Sequence, residues 1–260
     1  IYCEFPKSIA EATILRGFFM ANFVLVHGAW HGGWCWKHVA PLLRAAGHNV
    51  FTPSLTGLGS RLHLAHAGIS LDTHISDIIG VINSEELENV ILCGHSYGGM
   101  VVTGVGECVP EKINTIIYLD AFMPEDGDSM ISFALPDVVG NQLKQAGHTG
   151  DGWQMDPLSP EYFGVLRKED AEWIRECCTP QPVLTWLQAV SRSDLWESIK
   201  NKVYIHAEKH PYETFRGFAE RFKADPDWAF YGLPCGHEIM IDLPKELAEI
   251  YLEIAAKNAA

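Results

Sequence analysis

Short apolar runs alternate with amphipathic stretches from Phe23 to the end of the chain. Continuous apolar runs are typical of strands buried on both faces of a parallel sheet. The predicted strands are Phe23–Val26, Asn49–Thr52, Val90–Cys93, Ile113–Leu119, Val203–His206 and Trp228–Tyr231. The predicted helices are Lys37–Ala46, Asp72–Ser84, Tyr97–Cys108, Tyr212–Phe222 and Lys245–Ala256. The alternation predicts a doubly wound, mostly parallel α/β sheet with right-handed crossovers.

The segment between Pro124 and Pro182 departs from this alternation. It contains several prolines and glycines and the aromatic residues Trp153, Tyr162, Phe163 and Trp173. Long irregular insertions in compact domains are usually functional, so we expect a mainly helical cap over the carboxyl edge of the sheet. A helical excursion that only covers the core is the alternative. The predicted division is a core over residues 20–123 and 183–260, with the cap over residues 124–182.

Residues 1–19 precede the first predicted strand. They have neither the basic start nor the small-residue cleavage site of a signal peptide. We interpret them as an N-terminal extension upstream of Met20. A short helix over Ser8–Leu15, packed on the domain surface, is the alternative.

Composition narrows the classes of partner. The formal net charge is −14 and no run of Lys and Arg occurs, which argues against nucleic acid or an anionic membrane surface as a partner. No stretch of apolar residues is long enough for a transmembrane helix. The seven cysteines are scattered and form no CxxC pair, as expected of reduced thiols in a cytoplasmic protein. A small molecule is the expected partner, and a homodimer is compatible with the sequence.

The clearest chemical signal is the run Gly94–Gly98, which reads GHSYG. It follows the predicted strand Val90–Cys93 directly and begins the next predicted helix, which is the context of a nucleophile elbow. The turn is so tight that the residues two before and two after the serine must be small, as Gly94 and Gly98 are. Ser96 is therefore the predicted nucleophile. A glycine-rich turn with an incidental serine is the alternative.

A serine nucleophile needs a base within hydrogen-bond reach. His237 lies in a glycine-containing loop between the last predicted strand and the final helix, where hydrolases with such an elbow place their base. We expect His95, inside the elbow, to be structural, and His27 to brace a loop. A metalloprotease HExxH motif would need histidine at position 241, which is Ile241, so no metal or other cofactor is expected.

The reaction also needs two donors for the developing oxyanion. The backbone N–H of Tyr97, directly after the nucleophile, is one candidate. The other is the N–H of Ala29 in the glycine-rich loop 27–33, which follows the first predicted strand. A phosphate-binding loop is disfavoured because neither GxGxxG nor GxxxxGK[ST] occurs.

Four motifs together resemble one branch of the α/β hydrolases. They are HGAWHGGWCW at 27–36, TGLG at 56–59, GHSYGG at 94–99 and LDAFMP at 119–124. That branch contains plant methyl-ester esterases, plant hydroxynitrile lyases and many bacterial esterases. The resemblance runs from about Met20 to the end of the chain and looks closest to bacterial esterases that hydrolyse methyl carbamates such as carbendazim. It implies an α/β-hydrolase fold with an inserted cap, and oxyanion donors at Ala29 and Tyr97.

The triad acid departs from the plant pattern. The plant esterases place an Asp several residues past the strand that matches Val203–His206, where this chain has no Asp. The candidates are Asp120, which ends the strand Ile113–Leu119, and Glu208. A carboxylate in so apolar a setting as that of Asp120 costs stability unless it is paired, and a triad histidine supplies the partner. Glu208 has the flanking residues of a solvated loop, so we predict Asp120 and keep Glu208 as the alternative.

These residues predict a serine hydrolase that cleaves a small ester or carbamate through an acyl-enzyme. The aromatic residues Trp30, Tyr97, Trp153 and Trp186 are predicted to line an apolar substrate pocket.

Two other functions remain open. In the resembling lyases a Lys follows the base and a Thr stands at the position of Gly28, but this chain has Glu238 and Gly28 there. A non-catalytic ligand receptor would need neither Ser96 nor His237. Turnover of p-nitrophenyl acetate distinguishes a receptor from an enzyme.

Overall fold

A six-stranded parallel sheet forms the centre of the computed structural model, which describes residues 20–258. The strands, in the spatial order β2-β1-β3-β4-β7-β8, are β1 (Asn22–Val26), β2 (Asn49–Phe51), β3 (Val90–His95), β4 (Ile113–Leu119), β7 (Asn201–Ala207) and β8 (Trp228–Leu233). The six predicted strands are confirmed, each with ends within two residues of the prediction. The extension predicted over residues 1–19 lies outside the described residues and stays a prediction.

Helices cover both faces of the sheet. They are α1 (Ala40–Ala45), α2 (Leu71–Ser84), α3 (Gly98–Cys108), α4 (Met130–Phe133), α5 (Pro136–His148), α6 (Lys168–Cys177), α7 (Leu184–Leu187), α8 (Asp194–Glu197), α9 (Glu213–Ala224), α10 (Ile239–Asp242) and α11 (Pro244–Asn258). Short 3₁₀ helices span Gly33–Trp36, Gly59–Leu64 and Pro110–Lys112. No helix within residues 20–258 is long and apolar enough to cross a membrane.

The core consists of two apolar layers, one on each side of the sheet. Side chains alternate along a strand, so Val24 and Val26 of β1 pack in the layer formed with α2, α3 and α9. Phe23 and Leu25 pack in the opposite layer with α1 and α11. Strands buried on both faces explain why the sequence shows continuous apolar runs there.

The strand register brings the predicted site residues to one edge. His95 of β3 pairs with Leu119 of β4, so the residues that follow them, Ser96 and Asp120, leave the sheet side by side. Leu119 also pairs with Ile205 of β7, and the Asp120 N–H donates to the Ile205 carbonyl over 2.7 Å. The carboxyl ends of β1, β3, β4 and β7 therefore surround one site, as expected of an open parallel sheet.

The segment between β4 and β7 contains five helices, α4 to α8, and a small two-stranded antiparallel sheet of β5 (Gln154–Met155) and β6 (Gln181–Pro182). The central sheet resumes only at Asn201, so the irregular segment extends about 18 residues beyond the predicted boundary at 182. The extra length consists of α7 and α8, two short helices with too few residues to give a clear periodic pattern.

Candidate active site

Ser96 occupies the sharp turn between β3 and α3. Its φ of +53° lies in the left-handed region, which a residue with a side chain rarely adopts. A Cβ on Gly94 would lie 2.4 Å from the Gly98 carbonyl oxygen, and one on Gly98 would lie 2.9 Å from the His27 carbonyl oxygen. The Ser96 N–H donates to the Leu119 carbonyl over 3.3 Å, which ties the turn to β4. The turn thus has the strain and the small neighbours of a nucleophile elbow.

His237 and Asp120 are joined by a short hydrogen bond. The distance from His237 Nδ1 to Asp120 Oδ2 is 2.7 Å, and both side chains are buried. Because a carboxylate accepts hydrogen bonds, Nδ1 carries the hydrogen and Nε2 keeps a free lone pair. Ser96 and His237 line the same pocket. The structure therefore brings Ser96, His237 and Asp120 together at one edge of the sheet.

Asp120 is surrounded by hydrogen-bond donors. His206 Nδ1 and the Ala207 N–H each lie 3.0 Å from Oδ1, and His210 Nδ1 lies 3.4 Å from Oδ2. Burial alone would raise the pKa of the Asp120 carboxyl. The hydrogen bonds from His206, His210 and His237 outweigh burial and hold that pKa well below its ordinary value. Asp120 thus remains a carboxylate at every pH at which an imidazole titrates.

Glu208, the alternative acid, is exposed on the loop after β7. The interpretation of this loop as solvated was wrong for His210, which is only 6% exposed. The His210 ring stacks on that of His237 at a centroid distance of 4.6 Å. A histidine three residues past a strand gives no sequence signal that distinguishes this burial from exposure.

The base is also held by Phe163 and Gly164, in the segment between β4 and β7, and by Phe215 of α9. The rings of Phe163 and Phe215 stack on His237 at centroid distances of 5.6 and 5.0 Å. The backbone N–H of His237 donates to the Phe163 carbonyl over 2.9 Å. A Cβ on Gly236 would lie 2.1 Å from the Gly164 carbonyl oxygen, so only glycine permits this close approach of two backbones. The sequence contains no signal that marks Phe163 as the neighbour of the base.

The predicted oxyanion donors flank Ser96. Ala29 lines the pocket, and Tyr97 follows the serine directly. Neither backbone N–H donates to another residue in the described range, so both remain available to a developing oxyanion. The Tyr97 hydroxyl lies 2.9 Å from His74 Nδ1, in the apolar layer and away from the pocket. The prediction that the Tyr97 side chain lines the pocket was therefore wrong.

The pocket in front of Ser96 opens to solvent, and about 410 Å³ of space lies between its walls, part of it open solvent. Its apolar and aromatic walls are Trp30, Phe122, Met130, Ala134, Val138, Leu158, Tyr162, Phe163, Trp186, Tyr212 and Phe215. Trp153 is not among them, so its predicted place in the pocket was wrong. Trp153 precedes β5, and its carbonyl accepts from the Val183 N–H over 2.8 Å, which ties it to the small β5–β6 sheet. Aromatic content showed that the segment is packed, but not which side chains face the site.

Comparison with known protein families gives a match over most of the chain. The family model described as "Alpha/beta hydrolase family" matches residues 23–250. A protein from a Nocardioides species (strain SG-4G), named carbendazim hydrolyzing esterase, is 44% identical over 237 residues, which cover 88% of this chain and 98% of that protein. Salicylic acid-binding protein 2 of Nicotiana tabacum is 33% identical over 196 residues, which cover 72% of this chain and 74% of that protein.

Solved structures show the same architecture. An extracellular α/β-hydrolase from a Paenibacillus species superposes with a TM-score of 0.77 at 23% identity. The superposition covers 90% of this chain and 98% of that one. At this level of identity the likeness concerns the fold.

Proposed function

This chain belongs to the α/β hydrolase family, and from that premise we propose that it hydrolyses small esters and methyl carbamates through an acyl-enzyme on Ser96. Its esterase relatives make it a serine hydrolase that acts on carboxylic esters. The assignment of the three catalytic residues rests on one observation. Ser96 and His237 face a common aromatic pocket, and Asp120 binds the far nitrogen of His237.

Acylation begins when the Ser96 hydroxyl attacks the substrate carbonyl and His237 Nε2 takes its proton. The oxyanion that forms accepts from the N–H groups of Ala29 and Tyr97. For a methyl ester, His237 returns the proton to the leaving oxygen and methanol departs. Water then attacks the acyl-enzyme with His237 again as base, which releases the acid and restores Ser96. A methyl carbamate follows the same path to a carbamic acid, which loses carbon dioxide to leave an amine.

The pocket favours a compact, flat acyl group. Its apolar and aromatic walls fit an aryl or heteroaryl ring close to Ser96. The relative at 44% identity is named for hydrolysis of carbendazim, a heteroaryl methyl carbamate. We therefore propose heteroaryl methyl carbamates and aryl esters as the preferred substrates.

A substrate panel tests this proposal. The panel contains carbendazim, p-nitrophenyl acetate, a methyl benzoate and a long-chain p-nitrophenyl ester, with methanol or p-nitrophenol release as the readout. We expect turnover of the three compact substrates and little of the long-chain ester. A preference for the long chain would refute the assigned substrate class, and the absence of all turnover would favour the ligand-receptor alternative.

The lyase alternative finds no support in this pocket. The side chain of Glu238, which stands where the resembling lyases have Lys, faces His31 and is not part of the pocket lining. A Cβ on Gly28 would lie 3.0 Å from both His95 Nδ1 and the Cβ of Ser96, so a threonine there would push on the elbow. The site thus has neither the cation nor the hydroxyl that those lyases carry.

Trp186 and Trp153 give a matched pair of pocket variants. Trp186→Phe should raise KM for an aryl substrate about threefold to tenfold, because the pocket loses part of one aromatic wall. Trp153→Phe should leave KM for the same substrate unchanged, because Trp153 is not in the pocket. Steady-state kinetics with p-nitrophenyl acetate and carbendazim measure both. Equal effects of the two substitutions would place the pocket elsewhere.

The rate should fall on the acid side with the loss of one basic group. General-base catalysis needs a neutral imidazole at His237, because a protonated imidazole cannot accept the hydroxyl proton of Ser96. Asp120 contributes no second step because its pKa is held well below the ordinary range. His210 contributes none because burial lowers its pKa and keeps it neutral. The measurement is kcat/KM between about pH 5 and about pH 9. If the chemical step limits the rate and the profile is nevertheless flat, His237 is not the base.

A further inference from the structure

A second pair of ionisable side chains lies behind the site and has no role in the mechanism above. His31 is 1% exposed and Glu238 is 0% exposed. His31 Nε2 lies 3.4 Å from Glu238 Oε1. Neither side chain lines the pocket, so neither contacts a substrate held there. Ionisable groups are rarely buried this completely unless they are paired, so the burial of both side chains indicates that the pair has a role.

The hydrogen bonds of His31 fix where its protons are. His31 Nδ1 lies 2.7 Å from the Ala29 carbonyl oxygen, which only accepts, so Nδ1 carries a hydrogen. Nε2 lies 3.4 Å from the Glu238 carboxylate oxygen, longer than an ordinary hydrogen bond, so the contact between the two side chains is electrostatic. Burial disfavours the charged imidazole, but the neighbouring Cys178 and Glu238 together raise the pKa of His31 to about 10. These neighbours favour the protonated form of the His31 imidazole in its buried position beside Glu238.

The pair connects the two loops that carry the chemistry. We call residues 27–33 the oxyanion loop and residues 234–238 the base loop. His31 binds the carbonyl of Ala29, whose N–H is the proposed oxyanion donor. Glu238 directly follows His237 and caps the start of α10, where its carbonyl accepts from the Ile241 N–H over 2.9 Å.

The oxyanion loop needs such support because it is strained. Trp30 has a φ of +63°, in the left-handed region, and such a residue persists only when its surroundings hold it in place. Its N–H donates to Gln181 Oε1 over 3.0 Å, and its carbonyl accepts from the Thr179 N–H over 2.8 Å. These contacts fix the loop to β6 and the residues before it. The His31–Glu238 pair is the side-chain contact that fixes the loop to the base.

We propose that His31 and Glu238 are a positioning pair that holds the oxyanion loop in register with the base loop, so that the Ala29 N–H meets the oxyanion formed on Ser96. This inference rests on the proposed function. The pair acts on the alignment of groups that matter in the transition state and not on substrate binding. Its loss therefore lowers kcat and leaves KM almost unchanged.

Glu238→Leu removes the carboxylate but keeps an apolar side chain of similar size. We expect kcat for p-nitrophenyl acetate to fall about tenfold to a hundredfold, with KM within about twofold of the parent, as for a misplaced oxyanion donor. Glu238→Gln should recover most of the rate, because its amide can donate to a neutral His31 Nε2. His31→Asn keeps an N–H for the Ala29 carbonyl but cannot reach Glu238, so it should resemble Glu238→Leu.

A double variant and a surface control separate positioning from general destabilisation. His31→Asn/Glu238→Leu should be no slower than the slower single variant, because the two residues act as one unit. Glu253→Leu is the control. Glu253 is an exposed carboxylate on α11, and its Oε1 lies 2.7 Å from Lys257 Nζ. It should keep the parent kcat. Thermal melting of every variant reports the effect on the fold.

Each possible result of these experiments either supports the positioning role of the pair or contradicts it. Parent-like kcat in Glu238→Leu, or equal losses in Glu238→Leu and Glu238→Gln, would overturn the proposal. A lowered melting temperature with unchanged kcat would show that the pair is structural only. If Glu238→Leu does not fold, kcat and KM of His31→Asn decide. Failure of the proposed function would look different, because the parent protein itself would then show neither turnover nor labelling by a fluorophosphonate.

Discussion

Ser96→Ala should lower the rate of ester hydrolysis by a factor of about 10⁴ or more and leave the fold intact. The strained turn presents the Ser96 side chain to the pocket that His237 also lines. In the proposed mechanism His237 accepts the proton of this hydroxyl. Without the hydroxyl no acyl-enzyme can form. Alanine has the same backbone preferences as serine at the φ of +53°, so the melting temperature should change little.

Labelling gives an independent measure of the same prediction. A fluorophosphonate reacts with an activated serine, so the parent should be labelled and Ser96→Ala should not. Ser198→Ala is the matched control, because Ser198 is exposed and its hydroxyl only donates to the Leu195 carbonyl over 2.6 Å. It should keep both labelling and activity. Labelling that survives in Ser96→Ala would mean that the nucleophile has been assigned to the wrong residue.

Asp120→Asn should lower the rate by about 10⁴, as a triad acid variant does when it imposes the wrong tautomer. Asp120 Oδ1 accepts from the Ala207 N–H, so an asparagine keeps its carbonyl oxygen there and turns its NH₂ towards His237. His237 Nδ1 would then have to accept, and its hydrogen would move to Nε2, the atom that must take the proton of Ser96. The base would be present in the wrong tautomer.

Glu208→Gln serves as the comparison, because Glu208 is the other carboxylate that the sequence allowed. It is exposed, so this substitution should change kcat less than about tenfold. Steady-state kinetics of both variants, with melting curves to show that each is folded, provide the measurement. If Glu208→Gln were the more damaging of the two, Asp120 would not be the triad acid.

The features that could be predicted from the sequence are those that local patterns determine. The predicted ends of Ile113–Leu119 match the observed ones, because every residue of the run except Asn114 is buried. Ser96 could be identified because the elbow needs small residues at fixed distances along the chain. His237 could be identified because it lies between the last strand and the final helix.

What could not be predicted depends on contacts between distant segments. Trp153 and Phe163 are both aromatic residues of one irregular segment, yet only Phe163 lines the pocket. The Trp153 backbone is bound instead to Val183, beside the small β5–β6 sheet. The burial of His210 against Asp120 joins residues whose strands are adjacent only in space. The sequence alone does not distinguish Glu238 from an exposed loop residue, because its burial depends on His31, which is far away along the chain.

Because Gly236 and Gly164 lie so close together, the pocket wall at Phe163 is tied to the base, whereas the walls on α4 and α5 are not. The two kinds of wall should therefore respond differently to substitutions. Side chains on α4 and α5, such as Met130 and Val138, line the pocket without bonding to the base. Phe163 binds the His237 N–H through its backbone. Substitutions on α4 and α5, in nature or in laboratory evolution, can therefore widen the substrate range with little loss of turnover rate. Changes around Phe163 would alter the pocket and the rate together, so variants selected for new substrates should accumulate on α4 and α5.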